Sequence, residues 1–259
     1  MKKSKIAVLV AMVVVLAFSL AACGGSDKSS SDKTVYKVGT EPTFPPFDTT
    51  DEDQNIVGLD MDLIKAIGED QGFDVEFENL SFDGLIPALK AGNIDIVAAG
   101  MNKDDEDRQK EVDFSDSYYE SKLFVAVTED NTTIKSVEDL TPDMKVAAQT
   151  GTTGASKVQE LKDAGKIKEA VILDGLDTCM MELINGDVSA VINDKPVTEA
   201  YMKKQPDKIK MVGKPLNAEN YGFAVQKGNT ELLEKINAGL KNIKENGTFD
   251  KLVDEWFNK

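Results

Sequence analysis

The sequence contains no histidine, one tryptophan and two cysteines, and Arg108 is its only arginine. Histidine is the commonest general base and a frequent metal ligand. Its absence therefore excludes the familiar Ser–His–Asp triads and most zinc sites. After the amino-terminal region no second apolar run is long enough to span a membrane. We predict neither catalytic residues, nor a metal, nor a cofactor.

Positive charge is scarce relative to negative charge. The chain has 30 Lys and Arg residues against 46 Asp and Glu residues, and its formal net charge is −16. Nucleic-acid binding depends on clustered Lys and Arg that replace counterions, so we predict no nucleic-acid partner. The same balance argues against attachment to anionic lipid by charge alone. We interpret the acidity as a source of solubility and colloidal stability.

The amino terminus has the pattern of an export signal. Three lysines lie within the first five residues, and residues 6–20 are apolar apart from one serine, a run too short for a comfortable membrane span. The tetrapeptide Leu-Ala-Ala-Cys that ends at Cys23 resembles the lipobox of bacterial lipoproteins. We predict a signal peptide over 1–22, a lipid anchor on Cys23 that holds the protein at the membrane, and a flexible tether over 23–33. The alternative is an ordinary signal peptide with an incidental cysteine.

Cys179 is the second cysteine, and with Cys23 lipidated it has no partner for a disulfide within the chain. It lies beside two methionines in an apolar helical pattern. We therefore expect Cys179 to pack in the core rather than to react.

From about residue 34 onward the chain alternates between strand-like and helix-like patterns. Strands are predicted at 35–40, 74–79, 94–99, 123–127, 145–149, 189–192 and 221–226. Helices are predicted at 60–70, 83–91, 154–164, 178–185, 196–204, 230–245 and 248–256. Such alternation is typical of parallel sheets covered by helices, which is the α/β class.

Two parts of this pattern resemble each other. At one constant offset, Asp83, Leu89, Gly92 and Val97 recur as Asp177, Leu183, Gly186 and Val191. Each copy predicts a helix that ends at a glycine cap and is followed by a short apolar strand. We therefore predict two α/β units, each with its own sheet. Because ligands of open α/β sheets bind beyond the carboxyl ends of the strands, a cleft is expected between 100–102 and 193–194.

Three polar features near this cleft suit a free α-amino acid. Every cation other than Arg108 is Lys. This indicates that position 108 needs a planar guanidinium, which can hold a carboxylate with two parallel hydrogen bonds. Residues 149–154 follow a strand and open a helix, so they offer N–H donors to an anion, and they lack the ending of a phosphate-binding loop. Asp194 ends a strand and suits an ammonium group. The structural alternatives are a surface arginine, a helix N-cap and a capping aspartate.

Five segments resemble family 3 periplasmic solute-binding proteins of polar amino-acid ABC importers, the glutamine-binding type above all. They are VGTEPTFPPF at 38–47, GLDMDL at 58–63, SFDGLIPAL at 81–89, DFSDSYY at 113–119 and NGTFDK at 246–251. The resemblance implies the periplasmic-binding-protein-like fold, in which two α/β lobes enclose a ligand cleft and two hinge strands join them. It implies that lobe 1 comprises 34–117 and 222–259, that lobe 2 comprises 123–216, and that the hinges are 118–122 and 217–221.

The resemblance also implies roles for individual residues. Phe44 and Phe82 would sandwich the aliphatic stem of the ligand. Arg108, assisted by Thr152 and the N–H of Thr153, would hold its carboxylate. Asp194 would hold the ammonium group, and Glu41 and Gln149 would read the tip of the side chain.

The chain departs from the family pattern on both sides of one loop. Asn102, two residues after Gly100, stands where the family usually has Ser or Thr. Gly100 and Asn102 are nevertheless predicted in the site, because an amide can also donate to a carboxylate. The loop 103–107 is one residue longer than usual before Arg108, and a bulge is expected to absorb the extra residue.

The ligand favoured at this point is glutamine, because Glu41 and Gln149 place no fixed cation at the tip; arginine or lysine is the alternative. The predicted protein is a monomeric receptor at the outer face of the bacterial membrane, and it delivers its ligand to permease subunits with a cytoplasmic ATPase. An enzyme similar to cyclohexadienyl dehydratase and a sensory ligand module are the competing classes. The missing histidine argues against the enzyme. The lack of an appended output domain argues against the sensory module.

Overall fold

The computed structural model describes residues 33–258, so the predicted signal peptide, the lipid anchor on Cys23 and nearly all of the tether lie outside the described residues. The strands are β1 (Thr34–Thr40), β2 (Thr49–Thr50), β3 (Ile56–Val57), β4 (Phe73–Asn79), β5 (Ile96–Val97), β6 (Val112–Phe114), β7 (Tyr119–Ser121), β8 (Leu123–Thr128), β9 (Lys145–Gln149), β10 (Glu169–Leu173), β11 (Ala190–Asp194), β12 (Ile209–Val212), β13 (Glu219–Tyr221) and β14 (Ala224–Gln226). The helices are α1 (Leu59–Gln71), α2 (Phe82–Ala91), α3 (Glu106–Glu111), α4 (Thr153–Asp163), α5 (Leu176–Asn185), α6 (Lys195–Lys204), α7 (Thr230–Glu245) and α8 (Thr248–Phe257). Across 33–258, no helix has the length and apolarity that a membrane crossing requires.

Two five-stranded sheets organise the protein. The first has the order β4-β1-β5-β14-β6 and the second the order β10-β9-β11-β8-β12. In the first sheet β1 runs parallel to β4 and β5, whereas β14 is antiparallel to β5 and β6. In the second sheet β9 runs parallel to β10 and β11, whereas β8 is antiparallel to β11 and β12. The two-lobed α/β fold is confirmed, and each sheet carries antiparallel strands beside the expected parallel ones.

A short strand pair carries the chain between the two sheets. β7 lies between β6 of the first sheet and β8 of the second, and β13 lies between β12 of the second and β14 of the first. These two strands pair antiparallel, with Tyr221 opposite Tyr119 and Glu219 opposite Ser121. The chain therefore crosses from one sheet to the other twice at one place.

The repeated helix-and-glycine pattern has a backbone cause. Gly92 and Gly186 end α2 and α5 in the left-handed conformation, with φ of 74° and 81°. Each cap N–H donates to a carbonyl of the last helical turn, which satisfies an acceptor that the helix would otherwise leave free. β5 follows the first glycine and β11 the second.

The structure differs from the predicted elements in a few places. A single strand was predicted over 221–226, but the chain breaks between β13 and β14 because Gly222 N donates to Met101 O and Phe223 N donates to Ser115 Oγ. The predicted strand at 94–99 shortens to β5, although Asp95 N and Ala98 N still donate to β1 carbonyls on either side. The elements β6, β10, β12 and α3 were not predicted.

Cys179 lies on the buried side of α5 and has no exposed surface. Burial, with Asp177 close by, raises the pKa of its thiol to about 12. The thiol is therefore protonated near neutral pH, and the predicted packing role of Cys179 is confirmed.

Candidate functional site

A closed cavity lies between the carboxyl ends of the two sheets. It has a volume of about 10 Å³ and is lined by Phe44, Phe82, Gly100, Asn102, Arg108, Gln149, Thr152, Thr153, Asp194 and Glu219. The structure thus brings nine of the ten predicted site residues around one cavity. Glu41 lies outside the lining, directly behind Gln149.

A wider groove elsewhere contains none of the predicted residues. It has a volume of about 780 Å³ and lies between Pro45–Pro46, helix α6 and the end of α8. We place the site in the smaller cavity because it holds buried charges of both signs, whereas the wider groove is mostly apolar and open.

Phe44 and Gly100 form one wall of the cavity. Phe44 is fixed by a backbone bridge with Asp48, in which Phe44 N donates to Asp48 O at 3.0 Å. Gly100 has φ of +52°, and a Cβ atom there would lie 2.5 Å from Cε1 of Phe44. Only glycine allows this close approach of backbone to ring.

Two buried aspartates support that wall from behind. Asp60 Oδ2 accepts hydrogen bonds from Gly100 N at 2.8 Å and from Tyr118 Oη at 2.7 Å. Asp48 Oδ2 accepts from Thr40 Oγ1 at 3.1 Å. Burial raises the pKa of Asp60 to about 7, and burial together with Asp60 raises the pKa of Asp48. Neither role was predicted from the sequence, although an aspartate within an apolar helix start was a visible signal at Asp60.

Arg108 reaches across the cavity from the short helix α3. Asp105 caps this helix, since its Oδ1 accepts from Asp107 N and Arg108 N. Nη1 of Arg108 donates to Asn102 O at 3.2 Å, and Nη2 donates to Gly151 O at 2.9 Å. The residues before Arg108 thus form a turn and a capped helix rather than a β-bulge.

Two features set the electrostatic surroundings of Arg108. The guanidinium carbon lies 5.3 Å from the ring centre of Phe82, a cation–π distance. Burial lowers the pKa of Arg108, while Asp105, Glu219 and Asp194 oppose that shift. An arginine nevertheless stays charged in a protein. Among the described residues that line the cavity, Arg108 is the one cation.

The other wall is the turn between β9 and α4. Thr152 is the N-cap of α4, because its Oγ1 accepts from Ala155 N at 3.1 Å and donates to Gln149 O at 2.7 Å. Thr153 is the first residue of the helix. N–H groups in a first helical turn have no acceptor within the helix, and the helix dipole places positive charge there. This wall therefore suits an anionic group.

Gln149 and Glu41 form a pair that joins the two sheets. Nε2 of Gln149 donates to Glu41 Oε2 at 2.8 Å and to Asp174 O at 3.0 Å. Thr43 Oγ1 donates to the same Glu41 oxygen at 2.7 Å. Burial raises the pKa of Glu41. Both N–H groups of the Gln149 amide are thus occupied, and the pair presents acceptors only.

Asp194 and Glu219 lie together at the crossing strands. Oδ1 of Asp194 accepts from Ser121 Oγ at 2.7 Å and from Tyr221 Oη. Burial, with Glu219 in contact, raises the pKa of Asp194 to about 7. Asp194 makes no side-chain cap to α6, so the capping alternative was wrong.

Glu219 is a lining residue that the sequence analysis missed. It is 2% exposed, and its Oε1 accepts from Asn217 Nδ2 at 2.8 Å. Its signal in the sequence was the alternation of strand β13, which puts Glu219 on the same face as Tyr221.

A protein-family model and several named proteins match most of this chain. The model of the family described as bacterial extracellular solute-binding proteins, family 3, matches residues 36–259. A probable histidine-binding protein of Neisseria gonorrhoeae is 34% identical over 94% of this chain and 92% of its own. A putative ABC transporter arginine-binding protein 2 of Escherichia coli K12 is 34% identical over the whole of both chains.

Solved structures share the fold. An ancestral arginine-binding protein bound to arginine superimposes with a TM-score of 0.83 and 44% identity, over 87% of this chain and 99% of its own. A structure described as an ancestral arginine-binding protein bound to glutamine gives a TM-score of 0.80 and 45% identity, over 88% of this chain and 99% of its own.

Proposed function

Since the chain belongs to the bacterial extracellular solute-binding proteins of family 3, we propose that it captures a free basic amino acid, arginine above all, for an ABC importer. One observation carries the proposal: a guanidinium and a buried carboxylate, Arg108 and Asp194, line the same closed cavity. An α-amino acid is a zwitterion, so it needs one group of each sign at its two ends. The names of the relatives, which include arginine-binding and histidine-binding proteins, support the same class.

In this proposal each wall holds one part of the ligand. Arg108 and the first N–H groups of α4, with Thr152 and Thr153, bind the carboxylate. Asp194 binds the ammonium group. Phe44 and Phe82 contact the aliphatic stem, and the backbone at Gly100 and Asn102 closes the remaining side.

The pair of Gln149 and Glu41, which offers only acceptors, determines which ligand side chain fits. The tip of arginine or lysine carries donors only, so it matches two acceptor groups. The tip of glutamine carries a carbonyl oxygen as well, and the occupied Gln149 amide offers it no N–H. Burying a carboxyl group such as Glu41 is costly unless it is paired, and a cationic tip supplies the partner. We therefore favour a basic amino acid over glutamine, reversing the order that the sequence favoured.

Glutamine is the second candidate. A structure with 45% identity to this chain holds glutamine, which shows that a related cavity accepts the amide. Calorimetric titration of the purified protein, with Cys23→Ser to prevent acylation and with co-purified ligand removed by reversible unfolding, separates the two. We expect arginine or lysine to bind at least about tenfold more tightly than glutamine, which corresponds to about 1.4 kcal/mol. A tighter Kd for glutamine would overturn the choice of side chain, and no binding of any amino acid would overturn the function.

Capture works by closure of the two lobes in this proposal, with the hinges at 118–122 and 217–221. Several hydrogen bonds join the lobes across the cavity, among them Arg108 Nη2 to Gly151 O, Gln149 Nε2 to Glu41 Oε2 and Tyr201 Oη to Thr43 O at 3.0 Å. They describe a closed form that a bound ligand would stabilise. Small-angle scattering should show compaction when arginine is added, and an unchanged radius of gyration would contradict closure.

We further propose that the receptor is monomeric, that it acts without turnover, and that a lipid on Cys23 holds it at the outer face of the membrane near its permease. Two acyl chains give stable anchoring, which a single chain does not. Metabolic labelling with palmitate should mark the wild-type protein but not the Cys23→Ser variant, and it should leave Cys179→Ser labelled. Label retained in Cys23→Ser would place the anchor elsewhere.

A further inference from the structure

Asp194 and Glu219 are two buried carboxyl groups that line the same cavity. Asp194 is 6% exposed and Glu219 is 2% exposed. Ser121, which pairs with Glu219 across β7 and β13, donates to Asp194 at 2.7 Å. Asp194 ends strand β11 of the second sheet, whereas Glu219 begins β13, one of the two crossing strands. The pair therefore joins the second sheet to the crossing strands.

The groups that face this pair leave its negative charge largely unbalanced. From β7, Ser121 donates to Asp194 and Tyr119 lies nearby; from β13, Tyr221 donates to Asp194. Both tyrosines are neutral, because burial raises the pKa of each phenol.

Helix α3 contributes Arg108 as the facing cation. Within the described residues its Nη atoms donate to the carbonyls of Asn102 and Gly151 rather than to either carboxylate. Lys195 follows Asp194, but its ammonium pairs with Glu199 at 3.4 Å on the half-exposed side of α6. Two ionised carboxylates buried in one cavity repel each other, which favours a proton on Asp194.

We propose that Glu219 is a second ammonium-recognition residue, and that the Asp194–Glu219 pair holds one proton until the ligand ammonium displaces it. In this step a carboxylic acid hydrogen-bonded to a carboxylate becomes two carboxylates around the ammonium, and the proton leaves to solvent. This inference rests on the proposed function and adds to it a proton that is released on capture. It makes ligand affinity depend on pH.

The direction of that dependence follows from linkage. Release of one proton means that acid opposes binding, so affinity falls by up to about tenfold for each pH unit below the pKa of Asp194. Burial and Glu219 raise the pKa of Asp194 to about 7. The receptor would therefore hold its ligand less tightly in mildly acidic surroundings than in neutral ones.

Calorimetry in buffers of different ionisation enthalpy counts the released proton. Arginine is titrated into the wild-type protein in phosphate and Bis-Tris at about pH 6, and in phosphate and Tris at about pH 8. We expect close to one proton released at about pH 6 and few at about pH 8. Glu219→Gln keeps the size and hydrogen bonding of the side chain, and it should reduce the release at about pH 6 to less than about a third of a proton.

Two control variants separate the pair from other carboxylates. Glu120→Gln changes an exposed carboxylate on β7 and should leave the proton count unchanged. Glu199→Gln changes a half-exposed carboxylate on α6 that pairs with Lys195, and it should also leave the proton count unchanged. Full release in Glu219→Gln, or none in the wild type at about pH 6, would overturn the inference.

Infrared spectra of the ligand-free protein test for the bound proton even if arginine does not bind. Infrared difference spectra between about pH 6 and about pH 8 should show one more protonated carboxyl group in the ligand-free wild type than in Glu219→Gln, in addition to the Asp60 signal that both proteins share. Absence of that difference refutes the shared proton, whereas failure of every amino acid to bind refutes the proposed function. If Glu219→Gln does not fold, the wild-type proton count at the two pH values decides alone.

Discussion

Arg108→Lys tests the carboxylate clamp most directly. In the structure the guanidinium places Nη1 3.2 Å from Asn102 O and Nη2 2.9 Å from Gly151 O, and its carbon lies 5.3 Å from the Phe82 ring centre. Lysine keeps the charge, but a single ammonium nitrogen can neither hold a carboxylate with two parallel bonds nor lie flat on the ring. The substitution therefore removes geometry without removing charge.

The expected loss follows from the bond that lysine cannot make. One charge-assisted hydrogen bond is worth about 1.5–3 kcal/mol, which corresponds to about a 10- to 150-fold weaker Kd. The loss of the contact with Phe82 adds to this effect, since cation–π contacts contribute about 0.5–1 kcal/mol even at exposed sites.

Calorimetric titration with arginine measures this loss. Lys110→Ala is the matched control, because Lys110 lies on the same helix and pairs with Asp107 at 2.7 Å on the exposed side. Such a surface pair contributes little, so the control should bind arginine as the wild type does. A weakening of less than about threefold in Arg108→Lys, in a protein that still folds, would refute the clamp, because it is smaller than one charge-assisted bond.

Three further predictions concern the ends and the wall of the cavity. Glu41→Gln should weaken arginine binding by about tenfold or more but glutamine binding by less than about threefold, since the variant loses a charge that only the basic tip uses; equal losses in calorimetry would contradict this reading. Gly100→Ala should lower the melting temperature more than Gly92→Ala does: both positions have positive φ, but the new Cβ lies 2.5 Å from Phe44 at the first and meets no atom within 4 Å at the second. Ligand-free protein should melt at a lower temperature as the pH rises from about 5 to about 7.5, because burial raises the pKa of Asp60 and Asp194 to about 7. Their unfolded-state pKa is lower, so their stabilising contribution is complete at acid pH and is lost as the pH passes through that window; a flat or rising melting curve in scanning calorimetry would contradict it.

Much of the fold could be predicted because local signals were consistent. Helix α7 was predicted at its observed bounds, Thr230–Glu245, and strand β9 at Lys145–Gln149. In both, hydrophobic periodicity and flanking polar residues agree. Strand β12 was missed because it is short and its neighbours are polar, so only pairing with β8 gives it strand geometry.

The site residues also include some that the sequence predicted and one that it did not. Arg108 stood out because no other arginine occurs, and Asp194 because it ends an apolar strand. Glu219 did not stand out, because nothing near it in the sequence reveals that its side chain meets Asp194, 25 residues away along the chain. Contacts between residues distant in sequence depend on how the sheets pack, and local patterns do not encode that.

The sequence by itself determined the class of the protein: two α/β units, a lone arginine, a helix start suited to an anion, and a strand-end aspartate. These follow from residue type and spacing, which act over one or two elements. Only the tertiary structure decided how the polar groups are paired. In the folded protein both N–H groups of the Gln149 amide donate hydrogen bonds, and Glu219 is buried near Asp194. In our proposal those pairings make a site for zwitterions favour a cationic side chain, because a buried carboxylate needs a counter-charge or a proton.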